Sequence, residues 1–367
     1  MRAQDRRPSH RLIGAIWVTL ALLVAACGGD GATDTTPVSG TAGPETTTSD
    51  ALVPIDVMFP VNSPILFGYR VAQEAGYYAD EGLEVSMEFL DGGGAVVSQL
   101  VAGNGDIANI PVGPVVEAIE EGHTELRAVW NQVYGSIFYM AAPKGSGITT
   151  PEDLAGKKVG VSDLSGGEVP IVRGIIETAG LSEQDVELIP IGEGTALAVN
   201  AIETGQVDVF GGSINDIIAL EVQGLEFDYI LPDALLELPA SGIVVRQEMV
   251  DEHPEVIEGF LRAIAKGFYW AQVNPEATLA LIMNVTPEQF TDETGERIFR
   301  ATIPLNWAPE GTQMGFQSPE TWAAYFDFIG AEQPEVDLST IVTDQFLDAG
   351  NDFDQAAVEE DANSYAP

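Results

Sequence analysis

Gly103-Asn104-Gly105-Asp106-Ile107-Ala108-Asn109-Ile110 reads as a glycine turn, one acid and a short apolar strand, and Gly205-Gln206-Val207-Asp208-Val209-Phe210 repeats it. The flanks repeat as well. Before the first copy, residues 83–90 (LEVSMEFL) alternate apolar and polar side chains as a strand does, and Asp91-Gly92-Gly93-Gly94 opens a helix over 95–102. Before the second, residues 186–191 form a strand and Gly192-Glu193-Gly194-Thr195 opens a helix running through Ile202. After each copy a short turn, Pro111-Val112-Gly113 or Gly211-Gly212-Ser213, starts another helix. Further upstream stand helices that end at Ala75-Gly76 and Ala179-Gly180, and the strand Lys158–Val161 leads the second copy. The period is too long for a solenoid. Two β-α-β-α-β units predict an α/β protein of two similar lobes, with Asp106 and Asp208 in equivalent places.

Outward from the repeat, residues 129–142 (VWNQVYGSIFYMAA) read as strand passing through a hinge, and residues 241–246 (SGIVVR) as the returning strand. Residues 254–273 carry Val256, Ile257, Phe260, Leu261, Ile264 and Phe268 at helical spacing, one apolar face that packs on a lobe. Residues 275–283, 287–301 and 319–329 continue as helices, each entered at proline. The expected organisation is residues 53–130 with 241–285 as lobe one, 131–240 as lobe two, 286–355 as C-terminal helices on the lobes, and 356–367 as a frayed, disordered tail.

At the N-terminus, Arg2, Arg6, Arg7 and Arg11 precede an apolar run over residues 12–26, the pattern of a secretion signal. The run is shorter than the roughly 20 residues that cross a bilayer. Ala25 and Ala26 directly before Cys27, behind Leu23 and Val24, resemble a bacterial lipobox, which implies cleavage after Ala26 and an acylated Cys27. Residues 1–27 are thus a lipoprotein signal. Residues 28–52 are Gly, Thr, Ser, Ala, Pro and acids, a flexible tether with too little apolar surface to fold. Cys27 is the single cysteine, so stability comes from core burial without a disulfide.

The chain carries −42 at neutral pH, and Lys144, Lys157, Lys158 and Lys266 are its only lysines. Such a surface repels nucleic acid and anionic lipid. Zinc spacing, a complete phosphate loop and a nucleophile elbow are all lacking: Gly211-Gly212-Ser213-Ile214-Asn215 misses the last glycine of the elbow, and Ala155-Gly156-Lys157-Lys158 lacks the hydroxyl of a phosphate loop. His123 and His253 lie at polar helix ends and read as solvated. The expectation is a monomer with no catalytic residue, cofactor or metal.

In open α/β sheets, ligands sit beyond the carboxyl ends of strands, where helix N-termini present backbone N–H groups. Six polar turns occupy such places: Asn62-Ser63, the turn containing Gly92 and Gly93, and the one ending at Gly113 in lobe one; Ser165-Gly166-Gly167-Glu168, Glu193-Gly194-Thr195 and Ser213-Ile214-Asn215-Asp216 in lobe two. Each could serve only to cap its helix; together they point to one shared cleft. Trp130, Asn131 and Tyr134 fall at the crossover, where an aromatic ring could floor the cleft and stack on a flat ligand.

Three stretches carry a family resemblance. Residues 72–85 (AQEAGYYADEGLEV), 99–108 (QLVAGNGDIA) and 151–161 (PEDLAGKKVGV) resemble, in this order, the motifs of the sulfonate/nitrate/taurine-binding and thiamine-pyrimidine-binding family. The resemblance covers roughly residues 53–285. It implies a type II periplasmic-binding-protein-like fold and a solute-binding protein of an ABC importer, partnered by a membrane permease and its ATPase. Those motifs are fold determinants and name no ligand contact. Asp91, Glu168, Glu193 and Asp216 stand in the turns while Arg and Lys do not, which suits a ligand presenting N–H donors, such as an aminopyrimidine, better than a sulfonate or nitrate. A pyrimidine-synthase-like enzyme, which would need a cleft histidine, and a tethered ligand sensor are the alternatives.

Overall fold

The two repeated acids close the same turn. Asp106 Oδ2 accepts the Asp56 backbone N–H at 2.9 Å, and the Asp106 N–H donates to the Asp56 carbonyl at 3.0 Å. Asp208 makes the same pair with Lys158, at 2.9 Å and 2.8 Å. Each carboxylate thus pins the start of one parallel strand to its neighbour, the strand after Asp106 to the middle of the one containing Asp56 in the first case and the strand after Asp208 to the one beginning at Lys158 in the second. The computed structural model describes residues 51–366 apart from 165, 193, 195, 237 and 334. The expected signal sequence, the lipidation site Cys27 and most of the tether lie outside the described residues.

The strands run in chain order as β1 (Val53–Phe59), β2 (Leu83–Phe89), β3 (Ile107–Pro111), β4 (Leu126–Tyr134), β5 (Phe138–Pro143), β6 (Lys158–Val161), β7 (Glu187–Pro190), β8 (Val209–Ser213), β9 (Phe227–Ile230) and β10 (Pro239–Arg246). They form two five-stranded sheets, β2-β1-β3-β10-β4 and β7-β6-β8-β5-β9. In each sheet the first three strands are parallel, with Val57 opposite Ile107 and Val159 opposite Val209. The fourth, β10 or β5, runs antiparallel to both its neighbours. This is the two-lobed α/β architecture that the repeat predicts, with the same strand order in both copies.

The stretch over 129–142 divides into β4 in the first sheet and β5 in the second. Gly135 stands between them with φ +81°, a left-handed value that glycine tolerates without steric cost. Its N–H donates to the Leu238 carbonyl at 2.9 Å, and Tyr134 pairs with Pro239. The outgoing and returning crossovers therefore lie side by side as a two-stranded hinge. β4 stays in the first sheet through Tyr134, past the expected boundary at residue 130, because its pairing with β10 continues to the hinge glycine.

Two apolar cores follow. One lies between the first sheet and the C-terminal helix Pro254–Val273, with Phe59, Phe67, Tyr69, Phe260 and Phe268 at its centre. The other runs from the opposite face of that sheet, at Met58, Leu100 and Ala108, past Trp322, Tyr325 and Phe326 of the helix Pro319–Phe328, into the second lobe at Val172 and Phe210. The C-terminal segment thus joins the lobes as well as covering them. The helix Thr294–Thr302 also touches both: Phe299 meets Phe67 edge-on in lobe one, and Arg297 pairs with Glu221 of the lobe-two helix Ile214–Val222.

Two expected features differ. Residues 287–301 are not one helix but a 3-10 turn, Pro287–Phe290, followed by Thr294–Thr302. Asp292 accepts the Thr294 N–H at 2.8 Å, and Gly295 lies against the Gln289 carbonyl, so the chain bends between them. The tail is ordered: Gln355–Ser364 is a helix capped by Asp354. Val358 and Ala362, one turn apart, are buried against the Pro254–Val273 helix, while Tyr77 and Tyr269 donate to Asp361 at 3.0 Å and Glu359 at 2.8 Å. Its two buried apolar residues are too few to stand out among the acids in the sequence.

Candidate functional site

Beyond the carboxyl ends of both sheets lies a cavity of about 560 Å³. Lobe one borders it with Pro60 and Val61 after β1, Asp91, Gly92 and Gly93 after β2, and Pro111, Gly113 and Pro114 after β3. Lobe two borders it with Ser162 and Asp163 after β6, with Gly166, Gly167 and Glu168 at the start of the helix Val169–Thr178, and with Ser213, Asn215 and Asp216 after β8. Residues 135–138 of the hinge and 238–240 of the return form its floor. Strand ends of parallel sheets meet here because each parallel crossover turns at this edge and places a helix N-terminus on it.

Of the expected contacts, Gly92, Gly93, Gly113, Gly166, Gly167, Glu168, Ser213, Asn215 and Asp216 border this one cavity. Ser165, Glu193 and Thr195 lie outside the described residues. Asn62 and Ser63 are beside the cavity rather than on it. Asn62 Oδ1 accepts from Arg70 at 3.2 Å and Gln289 at 2.6 Å, and Ser63 caps a 3-10 turn. Gly194 serves the turn itself, its N–H donating to Asp216 Oδ1 at 3.1 Å.

The crossover residues expected to stack or bind do not border the cavity. Trp130 is 1% exposed and sits in the core of lobe one, where Cβ atoms on Gly315 and Gly350 would run into its indole at 2.2 and 2.5 Å. Asn131 is also buried, and its amide, in the orientation its neighbours require, donates to the Ser241 and Val133 carbonyls. The Tyr134 hydroxyl accepts the Gly315 N–H at 2.9 Å, and burial raises its pKa. Trp130 and Tyr134 are covered by the C-terminal segment at Gly315 and Gly350, whose placement a local reading cannot supply, and Asn131 turns its amide to backbone carbonyls of β4 and β10.

Two of the acids, Glu168 and Asp216, are engaged within the chain. Asp216 Oδ2 accepts the Ser213 hydroxyl at 2.5 Å and the Ser213 N–H at 3.3 Å, closing a capping box, while Oδ1 holds Gly194. Glu168, 4% exposed, accepts the Ser162 N–H at 2.8 Å and also the Ser162 hydroxyl. Both shape the cavity wall by fixing the turns after β6 and β8. Asn215 is different. Its Oδ1 is buried without a hydrogen-bond partner among the described residues, and its Nδ2 reaches Ser63 Oγ of the other lobe at 3.5 Å.

Other cavity residues escaped the sequence reading. Ser136, Ile137 and Phe138 come from the hinge turn, and Leu235 and Leu238 from the segment leading into β10. Tyr325 comes from the C-terminal helix Pro319–Phe328. Phe138 was within the quoted hinge stretch, but the face it takes depends on the turn at Gly135. Tyr325 reads as core beside Trp322 and Phe326, and no local pattern marks it. The wall is apolar at Ile137, Phe138, Ile171 and Leu238 and acidic at Asp91, Asp163, Glu168 and Asp216; no Arg, Lys or His lines it among the described residues. His123 pairs with Glu125 at 3.1 Å, and His253 ends one helix and begins the next, both away from the cavity lining. Among the described residues no cluster of three His, Cys, Asp or Glu could hold a metal, and no helix is long and apolar enough to cross a membrane.

Comparison with known proteins agrees with this geometry. The NMT1/THI5-like family model matches residues 63–278. The riboflavin-binding protein RibY of Chloroflexus aurantiacus is 24% identical, over 91% of this chain and 97% of that protein. The formylaminopyrimidine-binding protein of Halalkalibacterium halodurans is 27% identical, over 80% and 92%. The periplasmic aliphatic sulphonate binding protein of Escherichia coli shares the fold, with a TM-score of 0.62 at 15% identity over 78% of this chain and 96% of that one.

Proposed function

We propose, on the premise that the chain belongs to the NMT1/THI5-like family, that it is the solute-binding protein of an ABC importer. In this reading Cys27 anchors it by lipid to the outer face of the bacterial cytoplasmic membrane. It takes a small polar organic solute between its lobes as a monomer and presents it to a permease driven by its ATPase. The solute is a nitrogen heterocycle. One observation supports this choice: the buried Asn215 Oδ1 has no donor among the described residues, at a cavity whose described lining holds acids and no cation. A buried acceptor without a donor is unfavourable, and a ligand N–H satisfies it. An anion would meet Asp91, Glu168 and Asp216, with no Arg, Lys or His in the described lining to offset them. The volume lies within the roughly 300–1,000 Å³ of small-molecule sites. Two relatives are named for heterocycles, riboflavin and a formylaminopyrimidine.

A second reading, an alkanesulfonate, taurine or nitrate, draws on the helix N-termini at Gly93, Val112, Val169 and Ile214, since N-termini alone bind anions. A pyrimidine-synthase-like enzyme would need a donor histidine at the cavity, and neither His123 nor His253 borders it. Titration calorimetry of the full chain with riboflavin, formylaminopyrimidine and taurine decides. Binding of a heterocycle without turnover supports the proposal, and a ligand at 100 times its Kd should add about 2.7 kcal/mol to stability. Binding of taurine alone moves the assignment to the second reading. Product formation replaces it with an enzyme.

A further inference from the structure

Tyr325 is 4% exposed, yet it borders the cavity, and its hydroxyl makes no hydrogen bond among the described residues. Five tyrosine hydroxyls are engaged, Tyr69 with Gln132, Tyr77 with Asp361, Tyr134 with Gly315, Tyr229 with Glu221 and Tyr269 with Glu359; the Tyr78 hydroxyl is also without a partner among the described residues, but it lies in the lobe-one core and not on the cavity. The position of the free hydroxyl follows from Gly113. A Cβ on that cavity-lining glycine would meet only one atom, the Tyr325 hydroxyl, at 3.3 Å. Gly113 has no left-handed backbone to explain it and stands in the first turn of the helix Val112–Glu120, where alanine would be the better helix former. What glycine leaves there is open space beside the hydroxyl.

The ring is held firmly. Ser318 caps its helix, Trp322 Nε1 donates to Gln317 Oε1 at 3.2 Å, and Phe326 is fully buried. Phe328, at the helix end, packs so closely on the lobe-two helix that a Cβ on Gly174 would lie 2.4 Å from its carbonyl. A pre-set side chain spends little of its freedom on meeting a ligand. Burial, with the Glu117 charge adding to it, raises the Tyr325 pKa, so the hydroxyl stays protonated and can both donate and accept.

We infer that Tyr325 is a specificity-determining residue of the cleft, its hydroxyl bonding a ring heteroatom or carbonyl of a flat, uncharged heterocycle. The inference rests on the proposed function and deepens it: a residue beyond the family-matched segment 63–278 selects the ligand. Tyr325 approaches from the side of Gly113 in lobe one and Asn215 stands in lobe two, so a heterocycle with polar edges on opposite sides would engage both.

Titration calorimetry of the full chain with riboflavin, formylaminopyrimidine and taurine, on wild type, Tyr325→Phe, Gly113→Val and Asn215→Ala, tests it. Tyr325→Phe keeps the ring and removes only the hydroxyl. It should weaken the bound heterocycle about tenfold, as loss of one buried hydrogen bond does, and leave the melting temperature without ligand unchanged. Gly113→Val, by filling the space beside the hydroxyl, should weaken the same ligand by at least as much. If Asn215→Ala weakens binding while Tyr325→Phe does not, the inference is overturned and the cleft reading stands. If taurine binds and both heterocycles fail, or if no probe binds the wild type, the proposed heterocycle function falls and the inference falls with it.

Discussion

Replacing Asp216 by asparagine separates a wall-building acid from a ligand-binding one. Its carboxylate accepts three hydrogen bonds: from the Gly194 N–H at 3.1 Å, the Ser213 N–H at 3.3 Å and the Ser213 hydroxyl at 2.5 Å. Asparagine has one carbonyl oxygen. Placed toward Ser213, it keeps the capping box but turns its amide N–H₂ toward the Gly194 N–H, donor against donor. Placed toward Gly194, it loses the box. Either way about one charge-assisted bond goes, worth roughly 1.5–3 kcal/mol, and capping-box losses run to about 1 kcal/mol on their own. A net loss of about 2 kcal/mol, at roughly 2 °C per kcal/mol for a chain of this size, lowers the melting temperature by about 4 °C. Scanning calorimetry of the full chain without ligand reads this directly, and titration of the bound solute reads affinity. The expected pattern is a lower melting temperature with affinity reduced at most a few-fold. An unchanged melting temperature with tenfold weaker binding would refute the argument and return Asp216 to the ligand.

Other substitutions probe the frame around the cleft. Gly315→Ala drives a Cβ into the Trp130 ring from a backbone at φ +90°, and should cost about 3 kcal/mol in denaturant unfolding followed by tryptophan fluorescence. Asp106→Ala and Asp208→Ala remove the same strand-pinning bond from the two lobes and should each cost about 1 kcal/mol; unequal costs would argue against equivalent roles. Cys27→Ala, outside the described residues, should abolish metabolic labelling by palmitate and release the protein from membranes, whereas labelling that persists would refute the anchor.

Much of the architecture was legible because it is local. A glycine turn, an acid and a short apolar strand carry their own geometry, so the repeat around Asp106 and Asp208 announced two lobes, and the three family stretches pointed to the same fold. The hinge could be placed within residues 129–142 because an apolar stretch there links the two copies, but its position at Gly135 came only from the pairing of β4 with β10. The turns at Gly92, Gly113, Gly166 and Ser213 could be placed on the cleft because parallel crossovers always turn at that edge. What could not be read is which side chains those turns leave free. Glu168 and Asp216 looked available, but the turn after β6 engages Glu168 Oε1 and the turn after β8 engages both oxygens of Asp216. Asn215, next to Asp216 in the chain, keeps an atom without a partner among the described residues, which its sequence neighbours do not reveal.

The order along the chain therefore determined the lobes, the hinge and the rim of the cavity, since each rests on contacts between near neighbours or on the handed rules of β-α-β crossovers. Only the tertiary structure decided that Trp130 belongs to the core and Tyr325 to the cleft. Both depend on where a C-terminal segment, remote in sequence, comes to rest. Gly315 and Gly350 close over the Trp130 indole, and Gly174 lets the helix Pro319–Phe328 lie close enough to bring Tyr325 to Gly113. Such contacts join residues far apart in the chain, and no local spacing encodes them.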